Sequence, residues 1–345
     1  LHALCLTVLR DHAEAAGLRP GFGIADEGYQ DLVLRKLGVW SRRRLTLLTL
    51  FGRRRLEAYT LTDDDEAFFR RYLAHLRERN LVDFDDIIVL TAQLFQRHAA
   101  VADAVAARWH YILVDEFQDL DPVQYAVIKR LATPHRNLFV VGDDEQSIFS
   151  WRGADPGVLA RFQMEFGIAQ PIILDQNRRC SQQIFAVARR LLAQTPGLFD
   201  KQLRAERTSP HEVQARVFDD EGAEADWIVA DLSADQRVSG RSWGEYAVLY
   251  RKHRAGTALE RRFVQANIPC RLAQRRSLQD DPVIGHVIAA LRLMARPADP
   301  LAIEAFAEQV LPDLLLERLR SDQRQGGGDG DLLAAARAFA RQRPR

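Results

Sequence analysis

Four short apolar runs, each followed at once by polar or charged residues, constrain the fold of this sequence most strongly. Continuous apolar runs of this length are typical of parallel strands that are buried on both faces. Amphipathic stretches at 123–131, 184–192 and 259–266 indicate helices between the runs, and Pro122 suits a first helical turn. Alternating strands and helices predict an α/β fold built on a parallel sheet. The runs are 111–114, 138–141, 172–174 and 246–250.

The residues after these runs are the first candidates for a functional site. Asp115 follows the first run, Gly142 and Asp143 the second, Asp175 the third and Arg251 the fourth. In open α/β sheets, ligands bind outside the carboxyl ends of the strands. We therefore expect the site at that edge of the sheet.

Composition excludes several classes of protein. With 345 residues and 47% hydrophobic residues, the chain can form two domains with real cores. Its net charge of +1 names no partner, and all but four of the 48 basic residues are arginines, which genomic base composition explains better than nucleic-acid binding. Three distant cysteines form no CxxC pair, which argues against a zinc site or a disulfide framework. No signal peptide or membrane-length apolar run is visible, so the sequence predicts a cytoplasmic protein with no membrane partner.

The first hundred residues predict mainly helices. Apolar residues at 68, 69, 72, 73 and 76 follow helical spacing, and the acidic residues at 63–65 suit a helix N-terminus. Two arginine clusters, 42–44 and 53–55, are interpreted as solvated surface rather than a dedicated site.

The segment YILVDEFQD at 111–119 is the strongest chemical signal. Asp115 could hold Mg²⁺, which prefers oxygen ligands, and Glu116 could polarise an attacking water, as in nucleotide hydrolases. Taken alone, two acids at a strand end are more often simply solvated.

Two further segments add candidates of the same kind. Gln146, in GDDEQSIFSWRGA at 142–154, could bind a phosphate or a water without adding charge. Trp151 could stack on a base, although an isolated tryptophan is more often part of a core. Arg179, in LDQNRRCS at 174–181, could reach a phosphate, although a surface role is the simpler interpretation.

Together these segments resemble, in order and spacing, the motifs of the UvrD/Rep family of DNA helicases. VDEFQD is similar to the family's Walker B motif, GDDEQSIFSWRGA to the motif that follows it, and LDQNRRCS to its QNYRS motif. LHALC at the start, DFDDI at 83–87 and AVLYR at 247–251 resemble flanking family segments, so the resemblance covers nearly the whole chain.

The resemblance implies ATP and Mg²⁺ as cofactors and a role for each matching residue. Asp115 would support Mg²⁺, Glu116 would activate water, Gln146 would sense the γ-phosphate, and Arg179 would contact that phosphate from a second motor domain. The family usually has tyrosine against adenine where this chain has Arg178, which could stack through its planar guanidinium. His2, Trp151 and Arg152 would lie along the DNA.

One family motif is absent from the sequence. No GxxxxGKS/T occurs, and no glycine is followed by lysine, so the phosphate-binding loop of P-loop NTPases is missing. The family's last motifs are not seen either. We therefore expect a chain truncated at both ends that does not hydrolyse ATP alone.

The resemblance implies RecA-like parallel-sheet motor domains with helical inserts. Residues 1–5 would end the N-terminal RecA-like segment, 6–100 would form the first insert, 101–170 the second half of the first motor domain, 171–273 the start of the second, and 274–345 part of its insert. The implied activity is ATP-dependent 3′–5′ translocation on single-stranded DNA and at single/double-strand junctions, with accessory repair or replication proteins as further partners. Two alternatives stay open: a non-catalytic DNA-binding or regulatory remnant, and the helicase subunit of a helicase-nuclease complex.

Overall fold

The computed structural model describes residues 1–149, 153–194, 197–272 and 282–295, and a few isolated positions between 302 and 334. The chain divides into two compact units, Leu1–Ser209 and Pro210–Arg345. No helix among the described residues is long and apolar enough to cross a membrane.

The described part of the first unit is mainly helical and contains three short pairs of strands. Each pair is parallel: β1 with β2, β3 with β4, and β5 with β6. The helices are α1 His2–Asp11, α2 Glu27–Lys36, α3 Ser41–Leu56, α4 Asp63–Glu78, α5 Phe84–Arg97, α6 Ala99–Ala106, α7 Pro122–Ala132, α8 Val158–Phe166 and α9 Gln182–Leu192; the strands are β1 Gly23–Ile24, β2 Leu81–Val82, β3 Ile112–Val114, β4 Leu138–Val140, β5 Gln176–Ser181 and β6 Arg204–Arg207.

Side-chain caps explain where several helices begin. The carboxylate of Asp83 accepts a hydrogen bond of 2.9 Å from the backbone of Asp86 at the start of α5. Asp121 forms a capping box with Gln124 at the start of α7, with Pro122 in the first turn as predicted. Thr62 caps α4, whose first turn contains the acidic residues expected there. The helices predicted before residue 100 and at 123–131 and 184–192 are confirmed, because they coincide with α1 to α5, α7 and α9.

Two hydrophobic clusters among the described residues pack around β3, α7 and β4. The larger one lies between α1, α5, α6 and α7 and includes Val8, Ile88, Phe95 and Leu131. The smaller one includes Phe117, Tyr125 and Phe162, with β3 and β4 packed against it. The two clusters hold β3, α7 and β4 as a parallel βαβ unit, which is the expected α/β arrangement.

The prediction that these strands are buried on both faces is wrong for the described residues. Val114, Leu138 and Val140 pack against the smaller cluster. Leu113 and Phe139, which are register partners on the opposite face, are 75% and 58% exposed. Successive side chains alternate between faces, so one face is packed and the other is open.

Two of the four predicted strands are not strands in the structure. Residues 172–174 and 246–250 form no ladder with any described strand. A strand needs a hydrogen-bonding partner, and an apolar run alone does not supply one. The chain instead begins β5 at Gln176, where β6 is available as a parallel neighbour.

Five arginines of the two clusters on α3 lie close to acidic side chains. Arg43, Arg44, Arg53 and Arg54 lie within ion-pair distance of acidic side chains. Arg55 differs, because it is 8% exposed and contacts three aspartates of 83–86 at 2.7–2.9 Å, so its predicted place on a solvated surface is wrong. A buried charge of this kind needs such partners.

The second unit has α10 Glu221–Ser239, α11 His253–Gln265 and α12 Pro282–Ala295 as its described helices. Ala225 of α10 packs with Leu259 and Phe263 of α11 and with Ile268. The helix predicted at 259–266 is therefore confirmed as part of α11, which begins earlier.

Candidate active site

The carboxyl ends of β3 and β4 lie side by side and bring two sequence motifs together. The backbone N–H of Val141 donates to the carbonyl of Val114, and the N–H of Phe117 donates to the carbonyl of Val141. The residues after β3 and those after β4 therefore share one edge of the sheet, as the sequence predicts.

Asp115 and Glu116 occupy the turn directly after β3. Glu116 has left-handed backbone angles, φ 49° and ψ 44°, which are uncommon for a residue with a side chain. Its backbone N–H donates a hydrogen bond of 3.0 Å to the carboxylate of Asp115, and both side chains are exposed. A strained backbone conformation persists only where surrounding contacts hold it, and such conformations are often found at functional sites.

Gln118 joins the two strand ends. Its Nε2 donates to Oε2 of Glu116 at 2.8 Å, and its Oε1 accepts from the backbone N–H of Asp143 at 3.0 Å. The residue is only 2% exposed, so both ends of its amide need partners inside the protein. Gln118 thereby fixes the Glu116 carboxylate relative to the turn after β4.

Gly142 makes this approach possible. A Cβ atom at this position would lie 2.9 Å from Oε1 of Gln118 and 3.3 Å from a methyl carbon of Leu159. Real Cβ atoms do not come as close as the first distance, so the sequence needs glycine here to let the backbone pass beside Gln118.

Asp143 is the centre of the turn after β4. One oxygen accepts from Nε2 of Gln146 at 2.7 Å, and the other accepts from Nζ of Lys201 at 2.5 Å. Burial raises the pKa of Asp143, but the hydrogen bonds from Lys201 and Gln146 outweigh burial and hold that pKa below its usual value. Asp143 is therefore held as an ionised acceptor for the Gln146 amide.

Asp143, Asp144 and Glu145 form what we call the acidic turn, and two basic side chains cover it. Lys201 contacts all three carboxylates. Arg189 of α9 donates to Glu145 at 2.8 Å. Burial lowers the pKa of Lys201, but its hydrogen bonds to Asp143 and Asp144 dominate and raise that pKa above its ordinary value. Without these cations, three negative charges would repel within one turn.

Arg178 and Arg179 lie on β5, and both side chains are exposed. Arg178 donates to Oε1 of Gln176 at 2.8 Å and to Glu206 of β6 at 3.3 Å. The side-chain oxygen of Asn177 accepts from the backbone N–H groups of Arg179 and Cys180, each at 2.9 Å. Asn177 therefore orders the backbone from which the Arg179 side chain projects.

The three residues expected along DNA are only partly described. His2 begins α1 and lies edge-on to Phe84 at the start of α5, with 6.4 Å between ring centroids. Trp151 and Arg152 lie outside the described residues.

The donors present fit a magnesium-nucleotide site with few protein ligands. Among the described residues no group of three or more histidine, cysteine or acidic side chains converges as a metal site. Mg²⁺ in nucleotide-dependent enzymes is usually held by one or two carboxylates together with substrate phosphates and water. The exposed carboxylate of Asp115 is a ligand of that kind.

Two residues of this network were not predicted from the sequence. Gln118 lies inside the motif that drew attention to Asp115 and Glu116, but its role depends on a contact with the next strand. Lys201 lies 58 positions from Asp143. Its only sequence signal is that lysine is rare in this chain.

Comparison with known proteins gives matches along most of the chain. The model for the UvrD/REP helicase N-terminal domain matches residues 46–167, and the model for the UvrD-like helicase C-terminal domain matches residues 172–326. The ATP-dependent DNA helicase Rep of Escherichia coli K12 is 31% identical over 317 residues, which cover 87% of this chain and 47% of Rep. The ATP-dependent DNA helicase PcrA of Staphylococcus epidermidis RP62A is 28% identical over 320 residues, covering 88% of this chain and 44% of PcrA. The chain thus spans less than half the length of these curated relatives.

Proposed function

Because the chain belongs to the UvrD/Rep family of DNA helicases, we propose that it carries motor residues of an ATP-dependent helicase that moves 3′ to 5′ on single-stranded DNA. Single-stranded DNA and its junctions with duplex would be the substrates, and accessory repair or replication proteins would be further partners. The domains would be those that the resemblance implies, with the second half of the first RecA-like motor domain at 101–170 and the start of the second at 171–273.

The observation that carries this proposal is the hydrogen-bonded path from Glu116 through Gln118 and Asp143 to Gln146. It connects a carboxylate suited to activating water with an amide suited to sensing phosphate, at the carboxyl ends of adjacent parallel strands. A solvated pair of acids at a strand end needs no such path.

Each side chain then has a chemical role in ATP hydrolysis. Glu116 accepts a hydrogen bond from the attacking water and aligns it with the γ-phosphate. Gln146 donates one Nε2 hydrogen to Asp143, and its second Nε2 hydrogen can donate to the γ-phosphate, so the amide responds to whether ATP or ADP is bound. Arg179 stabilises negative charge on the transferred phosphoryl group, and Arg178 lies against adenine. Asp115 would hold Mg²⁺, which supplies charge neutralisation between the phosphates when bound.

DNA contacts would involve His2, Trp151 and Arg152. Stacking of one base on Trp151 would contribute about 1–3 kcal/mol. Trp151 and Arg152 follow the Gln146 turn within six residues, so a change at the phosphate could reach the DNA through a short segment.

A second candidate function follows from one sequence observation. The 345 residues contain no GxxxxGKS/T, the segment whose amides and lysine bind the β- and γ-phosphates. On that ground we propose that these residues alone bind DNA without hydrolysing ATP. DNA-stimulated hydrolysis by this polypeptide that Glu116→Gln abolishes would contradict the second candidate.

Strand separation by the full-length product of the gene tests the first candidate. We expect ATP-dependent unwinding of a duplex with a 3′ single-stranded tail, and much slower unwinding of the same duplex with a 5′ tail. Equal rates on both substrates would refute the direction of movement. Tight DNA binding with no unwinding of either substrate would refute the helicase activity itself.

A further inference from the structure

Lys201 is placed unlike an ordinary surface lysine. Its side chain is 10% exposed, and its Nζ lies 2.5 Å from Asp143 and 3.7 Å from Glu145, with Asp144 also in direct contact. Exposed ion pairs of lysine contribute little to the stability of a protein, because water screens the charges and the long side chain loses conformational freedom. A lysine that is largely removed from water among three carboxylates fixes all four groups.

The contact with Asp143 leads directly to Gln146. Lys201 and the backbone N–H of Glu145 donate to Oδ1 of Asp143, which leaves Oδ2 for the Gln146 amide. The three donors together define the plane of the carboxylate and so the direction of the Gln146 side chain. Loss of the lysine would let the carboxylate rotate and would restore repulsion among the three acids.

Lys201 and Arg189 also belong to a different part of the chain from the residues that they hold. The acidic turn and Gln146 lie in the segment matched by the N-terminal helicase domain, whereas Arg189 and Lys201 lie in the segment matched by the C-terminal domain. Both ion pairs therefore join the two matched segments within the first unit.

We propose that Lys201 is a positioning residue that orients Gln146 through Asp143, so that the C-terminal segment controls the phosphate-sensing amide. The role of Gln146 in hydrolysis rests on the proposed function, whereas the contact of Lys201 with Asp143 does not depend on it. Arg189 supports the same arrangement by holding Glu145.

Hydrogen exchange in this chain tests the contact without any activity. Two backbone N–H groups depend on Asp143: that of Glu145 donates to the Asp143 side chain, and that of Gln146 donates to the Asp143 backbone carbonyl. Because Lys201 holds Asp143 in place, Lys201→Met should raise amide hydrogen exchange in the peptide 141–149 several-fold. Peptides from α5 should be unchanged. Lys201→Arg should retain most of the protection, since the charge remains.

Lys129→Met is the matched control. Lys129 forms an ion pair of 3.0 Å with Glu165 on α8, and its side chain is 45% exposed. That variant should leave exchange at 141–149 unchanged. If Lys201→Met exchanges like Lys129→Met at 141–149, the positioning role is wrong.

Steady-state hydrolysis by the full-length gene product tests the consequence. Lys201→Met should lower kcat about tenfold, while KM for ATP changes by less than about twofold, because a positioned amide matters in the transition state more than in binding. Lys201→Arg should recover most of the rate. Asp143→Asn combined with Lys201→Met should cost little more than either change alone, because both act on one path.

The outcomes separate the two proposals. An unchanged kcat in Lys201→Met, together with a normal unsubstituted enzyme, overturns the positioning role and leaves the helicase proposal standing. A full-length product that hydrolyses no ATP overturns the helicase proposal, and the exchange experiment still decides whether Lys201 holds the turn.

Discussion

Gln118 donates a 2.8 Å hydrogen bond to the carboxylate of Glu116, and this contact sets the direction of an exposed acid from a buried amide. The same amide accepts from the backbone of Asp143. The Gln118 side chain thus connects the turn that would activate water to the turn that would sense phosphate. An exposed glutamate without such a partner would sample several rotamers.

Replacing Gln118 with alanine should therefore lower kcat of the full-length gene product by about tenfold or more, with a smaller change in KM for ATP. The physical reason is lost orientation of Glu116, together with an unpaired backbone N–H at Asp143. The measurement is DNA-stimulated ATP hydrolysis per folded molecule. Gln96→Ala, an exposed glutamine on α5, is the control and should behave like the unsubstituted protein. A normal kcat in Gln118→Ala would show that Glu116 needs no such support.

Gly142→Ala should destabilise the first unit. The added Cβ would lie 2.9 Å from Oε1 of Gln118, so either the backbone or the Gln118 amide must move, at a cost of about 1–3 kcal/mol. Chemical denaturation measures this loss. Gly244→Ala, where the nearest atom to a new Cβ is 3.9 Å away, should change stability by less than about 0.5 kcal/mol. Equal stability of the two variants would mean that the strand ends are not packed as closely as described.

Asp121 should give the unfolding free energy a pH dependence. Burial raises the pKa of Asp121 to about 6, more than the two backbone hydrogen bonds at the start of α7 lower it. An unfolded aspartate has a pKa of about 3.9, so the folded state binds an extra proton between roughly pH 4 and pH 6. The contribution of Asp121 to the free energy of unfolding is therefore complete at pH values below the pKa of the unfolded state. It is lost as the pH rises through about 6, the pKa of Asp121 in the folded state.

Asp121→Asn removes this titration and keeps a capping oxygen. The stability of the unsubstituted protein relative to Asp121→Asn should therefore fall by about 2–3 kcal/mol between pH 4 and pH 7. Denaturant unfolding at several pH values measures the difference. A difference that stays constant or grows with pH would contradict the raised pKa.

Local signals allowed the helices and the sheet edge that carries the candidate site to be predicted from the sequence. Caps such as Asp121 with Pro122 act over a single turn, and the apolar runs before Asp115 and Gly142 are short-range patterns as well. The prediction of strands at 172–174 and 246–250 was wrong, because strand pairing depends on a neighbouring strand that no local sequence pattern specifies. The open face of β3 and β4 could not be predicted for the same reason, since burial depends on what packs there.

The candidate site divides in the same way. Asp115, Glu116, Gln146 and Arg179 could be predicted as site residues because they stand inside continuous motifs with recognisable order. Lys201 was missed because its place beside Asp143 results from a contact between distant segments, and the sequence around it has no unusual pattern. Arg55 was predicted as surface because a cluster of arginines gives no sign of which member is turned inward toward aspartates.

The central claim is that Glu116 activates the water that attacks ATP. The most direct measurement is DNA-stimulated ATP hydrolysis by the full-length gene product and by its Glu116→Gln variant, with ATP binding measured on both. The substitution keeps the size of the side chain, its contact with Gln118 and the nearby carboxylate of Asp115, but it removes the basic oxygen. We predict near-complete loss of hydrolysis with ATP binding largely retained. Hydrolysis by Glu116→Gln within a few-fold of the unsubstituted rate would contradict the account.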